Sequence, residues 1–170
     1  MTEQREASGD TFMTRIGQAV MLLHGGDREE ARNRFGALWA EIGEAGDALH
    51  RCTLAHYMAD TQDDAGDELA WDLRALTAAD GQGGEESDRR VPSAPGEARE
   101  ASPEMRAFYP TLHLNLAADY LKLQRPEAAR LHLDRARAAA DALGDSGGDG
   151  YGDGVRAGID RLERLLGQFP

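Results

Sequence analysis

A chain of 170 residues, 41% of them hydrophobic, is long enough to bury one sizeable core, so a single main domain is expected. Its 31 acidic residues against 19 basic ones leave a formal charge of -12, which repels a phosphate backbone and argues against nucleic-acid binding. One cysteine excludes an intrachain disulfide, and no segment approaches the roughly 18 apolar residues of a membrane span, so a soluble cytoplasmic protein with no membrane partner is expected.

Residues 1–10 carry no apolar stripe and read as a flexible N-terminus ahead of one helical domain over 11–170. From there apolar residues recur at helical spacing: Phe12, Ile16, Ala19, Val20 and Leu23, then Phe35, Leu38 and Ile42, then Leu49, Cys52, Ala55 and Met58. No run alternates with a period of two, so the expected class is all-α. The breaks "GGD", "EAGD" and "TQDDAGD" are short, and each supplies a stop for one helix and a cap for the next. Helices are expected at 11–24, 28–43, 47–60, 66–79, 103–124, 126–143 and 154–167, with consecutive ones antiparallel.

Two stretches interrupt this rhythm. Residues 81–102, "GQGGEESDRRVPSAPGEAREAS", have Val91 as their only large apolar residue and read as a disordered loop, ended by Ser102 as N-cap and Pro103 as first helical residue. Residues 144–154, "GDSGGDGYGDG", repeat Asp at a spacing of four and lack the closing Glu of a calcium loop, so they read as a flexible connection. Only Lys122 among the basic residues is lysine, and with heavy use of Ala, Arg, Gly and Asp this suggests a GC-rich coding sequence of actinobacterial type.

In "LNLAADYLKLQRPEAARLHLDRA", residues 114–136, Ala117 stands three residues before Tyr120, Ala129 nine beyond it and Ala136 seven further on. Small residues at a helix crossing let two backbones approach closely. This spacing resembles the tetratricopeptide repeat family. A first pair follows with Ala19, Leu22, Ala31, Phe35 and Leu38, and a middle pair starts at Ala55, close to the family's period of about 34. Its second helix fits if the turn holds an insertion of about two residues, with Leu69, Leu73 and Leu76 as the packing face. Val155, Ile159, Leu162 and Leu166 form one stripe on the last helix, as a solenoid cap requires.

The resemblance implies antiparallel helix hairpins stacked as a short right-handed solenoid of about three repeats plus a capping helix. It also implies a concave groove lined by Ile16, Val20, Leu23 and His24; Cys52, His56, Ala59 and Asp60; and Leu114, Ala118, Leu121 and Lys122. The chaperone-binding members' carboxylate clamp is not expected, because Ile16 and Val20 occupy places where a lysine and an asparagine would be needed. An apolar or amphipathic peptide or helix of another protein suits this floor better. The groove could instead be filled by the 81–102 loop or the final helix.

Cys52, His56 and Asp60 share a helical face and are metal-ligand types, but without paired CxxC or HxxxH ligands they read as groove lining rather than a metal site. No phosphate-binding glycine loop, nucleophile elbow or HExxH is present, so no enzyme and no cofactor are expected. The expected function is a non-enzymatic interaction scaffold; the alternative is a regulatory helical domain that senses a small ligand or self-associates, as in a homodimer.

Overall fold

A computed structural model describes residues 2–81, 102–144 and 151–170. These form seven helices, α1 (Thr2–His24), α2 (Arg28–Ile42), α3 (Ala48–Asp60), α4 (Ala65–Asp80), α5 (Pro103–Lys122), α6 (Pro126–Leu143) and α7 (Tyr151–Leu166), and no strand. No described helix is long and apolar enough to cross a membrane. The segment read as a disordered loop lies, at 82–101, outside the described residues, as does 145–150 of the glycine-rich connection.

The expected starts are set by caps. Asp47 accepts from the His50 amide at 3.1 Å, Asp64 from those of Gly66 and Asp67 at 2.9 and 3.0 Å, and Ser102 from that of Met105 at 3.2 Å, each satisfying an otherwise orphaned donor. Pro103 and Pro126 occupy the first turns of α5 and α6, where a missing N–H costs nothing. α1 begins earlier than the apolar period indicates and takes in residues 2–10. Glu, Gln, Arg and Ala in this stretch favour a helix without contributing to any hydrophobic stripe. α7 likewise starts earlier, at Tyr151 instead of 154.

Consecutive helices pack on one another throughout, most extensively within α5–α6 and α3–α4 and then between α4 and α5 and within α1–α2, and α1 also touches α3, α3 touches α5, and α5 touches α7. The core has three parts. Ile16, Ala19, Ala31, Phe35, Leu38, Leu54 and Met58 join α1, α2 and α3. Cys52, Ala55, Ala75, Ala79, Met105 and Leu112 join α3, α4 and α5. Ala117, Ala129, Leu133 and Ala136 meet the whole apolar stripe of α7 at the C-terminal end.

The alanines picked out by spacing are fully buried: Ala19 and Ala31, Ala55, Ala117, Ala129 and Ala136. At such a crossing Ala129→Leu should overpack and lower the unfolding free energy by about 1–3 kcal/mol, whereas the same change at exposed Ala138 should stay within about 0.5 kcal/mol, as read by urea denaturation. Equal losses at the two sites would disprove the close contact.

α4 departs from expectation. Its buried face is Asp72, Ala75 and Ala79, while Leu73 is 37% exposed and Leu69 and Leu76 are half-buried at its flanks. Alanine lets α4 lie close to both α3 and α5, where a leucine row would hold the helices apart. One turn into α2 and α6 stand Ala31 and Ala129, followed by Phe35 and Leu133 on the same face. The corresponding places on α4 hold Glu68 and Asp72, so the middle hairpin puts carboxylates where its neighbours put core residues.

Candidate functional site

The residues assigned to a groove divide three ways. Ile16 and Ala59 are 2% and 1% exposed and Cys52 is fully buried, so these three belong to the core and offer no surface to a partner. Their helices need that face for packing on a neighbour, and burial with the charges of Asp72 and Asp80 pushes the Cys52 thiol up to about 12, far from a reactive or metal-binding thiolate. Val20 and Leu23 are half-buried against the first core. His24, His56, Asp60, Leu114, Ala118, Leu121 and Lys122 keep access to two adjoining features.

The first is a cleft of about 510 Å³ between α5 and α7. Leu114, Ala118, Leu121 and Lys122 form its α5 wall, and Gly158, Arg161, Leu162 and Leu165 its α7 wall, and Phe169 also lines it. Gly158 permits the close approach of the walls, because a β-carbon there would lie 2.7 Å from Leu114 Cδ2. The apolar floor is rimmed by Asn115, Lys122, Gln124, Arg161 and Gln168. The final helix thus packs against the α5 part of the expected groove and forms one wall of the cleft that remains.

The second feature is a polar cluster where α3, α4 and α5 meet. Asn115 Nδ2 lies 3.1 Å from His56 Nδ1, and Asp72 Oδ1 is 3.8 Å from the same nitrogen. Lys122 Nζ donates to both carboxylate oxygens of Glu68 at 2.8 Å. Burial lowers the affinity of Lys122 for its proton, and the Glu68 bond more than offsets this, leaving its pKa raised. Beneath these groups lie Asp72 and Asp119, 2% and 1% exposed. Burial, then the hydrogen bond with Asp72 and the negative charges of Asp72 and Glu68, push Asp119 up to about 9, so it is protonated at neutral pH. Asp72 Oδ1 and Asp119 Oδ2 have no hydrogen-bond partner among the described residues. Asp60 is also raised, first by burial, and the charges of His56 and His24 act on it in the opposite direction. His24, His56, Asp60 and Lys122 are therefore legible from their spacing, whereas Glu68, Asp72 and Asp119 are not, because acids standing at packing positions carry no apolar signal. Asn115 and Lys122 line the cleft as well as this cluster, so the two features are continuous.

A third polar group lies apart from the cleft. His113 and His132 are stacked with their Nδ1 atoms 3.1 Å apart, between the rings of Tyr109 and Tyr120. Burial is the first cause that holds His132 down to about 4, with the neighbouring His113 adding to it, so the pair is neutral at physiological pH. No three His, Cys, Asp or Glu side chains among the described residues are grouped to hold a metal ion. Compared with known protein families, curated proteins and solved structures, the chain matches none of them.

Proposed function

We propose that this chain is a non-enzymatic protein-interaction module, a short stack of helix hairpins of the tetratricopeptide kind, whose α5–α7 cleft receives the apolar side of an amphipathic peptide segment. The stacking reading is supported by the serial contacts of α1 with α3, α3 with α5 and α5 with α7, beside the extensive pairing of α3 with α4 and of α5 with α6. The single observation that carries the binding reading is the cleft itself. Its floor of Leu114, Ala118, Leu121, Leu162 and Leu165 takes apolar side chains, and a volume of about 510 Å³ suits a few of them. Arg161 on the rim favours acidic residues flanking the partner's apolar face. The carboxyl pair is a poor acid catalyst, because groups 1–2% exposed cannot touch a substrate.

Peptide-display selection against the folded chain tests this. Enriched sequences should carry apolar residues at helical spacing with acidic flanks, and calorimetry should show their binding weakened at least about tenfold by Ala118→Trp, which fills the cleft, and by Leu165→Asp on the partly exposed opposite wall. Circular dichroism of both variants should match that of the wild type. Peptides that bind both folded variants as tightly as the parent would place recognition elsewhere.

A further inference from the structure

A separate cleft of about 580 Å³ opens between the α2–α3 turn and the C-terminal half of α4, lined by Trp39, Glu44, Arg51, Arg74 and Thr77 among others. Its chemistry differs from that of the α5–α7 cleft. The Arg51 guanidinium lies over the Trp39 ring and that of Arg74 over the Trp71 ring, each 4.4 Å from the centroid. The two indoles meet edge to face at 5.3 Å and 83°. Arg51 donates to the Gly43 carbonyl, which ties it to the turn. Neither arginine forms an ion pair among the described residues, although the chain carries a net charge of -12.

A guanidinium held over an indole has lost much of its rotational freedom and still presents N–H groups at its edge, a fork that matches a carboxylate or phosphate. Trp39 adds a flat apolar wall beside that fork. Two such cations and the Trp39 ring on one concave surface of ligand size make a receptor rather than a solvated surface. Glu44 also lines the cleft and opposes a bare anion, so the apolar body of the ligand must contribute to binding. We propose that this cleft binds an organic oxyanion, a carboxylate or phosphate carried on a flat aromatic body, through Arg51, Arg74 and Trp39.

The chain has two tryptophans, so the two indole N–H resonances of the ¹⁵N-labelled protein report on this site directly. Titration with 1-naphthoate and, separately, with adenosine monophosphate distinguishes a carboxylate from a phosphate ligand. At least one of them should shift the indole resonances saturably below about 1 mM, an affinity of about 4 kcal/mol, while inorganic phosphate should not. Arg74→Gln, at an exposed position, and Arg51→Gln should each weaken that binding at least about fivefold with the remaining spectrum intact. The proposal is overturned if neither aromatic probe saturates, if inorganic phosphate gives the same response, or if the folded arginine variants bind as well as the parent. Because none of these residues lines the α5–α7 cleft, its peptide binding can fail without affecting this result.

Discussion

Asp119→Asn should stabilise the protein by about 2–4 kcal/mol at pH 7.5 and leave it nearly unchanged at pH 4. The folded protein keeps a proton on Asp119 up to about pH 9, whereas the unfolded chain releases it near the ordinary carboxylate value of about 4. Between those limits the native state binds more protons than the unfolded state, so raising the pH favours unfolding, by up to about 1.4 kcal/mol per pH unit. An asparagine amide can donate to Asp72 as the protonated acid does, and it has no proton to lose.

His132 acts in the opposite sense. Its folded pKa of about 4 lies below the unfolded value of about 6.5, so its contribution is present above about 6.5 and is lost as pH falls towards 4. From these two groups the wild type should therefore be level between about pH 4 and 6.5 and lose stability from 6.5 to 9. Urea midpoints across that range should show the alkaline decline flattened in Asp119→Asn and an acid-side loss unmasked. An alkaline slope equal to that of the wild type would mean that Asp119 ionises normally in the fold.

Phe35→Ala should cost about 3–5 kcal/mol, enough to remove much of the stability of a domain this size. The ring is completely buried among Ile16, Ala19, Leu38 and Leu54, and stacks on Tyr57 at 5.9 Å and 10°. It joins α2 to both α1 and α3, so its loss opens a cavity that small neighbours cannot fill by collapsing. Leu73→Ala, at a position 37% exposed, should cost less than about 1 kcal/mol. Guanidinium unfolding followed by circular dichroism measures both. A loss at Phe35 below about 1 kcal/mol would show that the first hairpin is not docked on α3.

The helices themselves were legible because their signals are local. Apolar spacing locates a helix and its own buried stripe, and Asp47, Asp64, Ser102 and Pro126 mark starts whatever the helices pack against. The small-residue crossing of α5 and α6 could be read for the same reason: Ala117, Ala129 and Ala136 are close in sequence and belong to one hairpin. Part of the site was also within reach, since Leu114, Ala118, Leu121 and Lys122 share one face of α5 and line its cleft.

What faces that wall was decided by the tertiary structure. The stripe of α7 was visible, but the crossing of α7 over α5, made close by Gly158, decides that a cleft remains between them. The leucines of α4 misdirected the choice of its packing face, since two adjacent faces of one helix can satisfy the same spacing, and contact with α3 and α5 selected the one with alanines. The pairing of Asp72 with Asp119 and of Arg51 and Arg74 across one cleft joins residues from different helices. Sequence spacing describes the faces of a single helix; which faces meet, and which charges are thereby taken out of water, depends on turn geometry and crossing angle, which arise only when the helices pack.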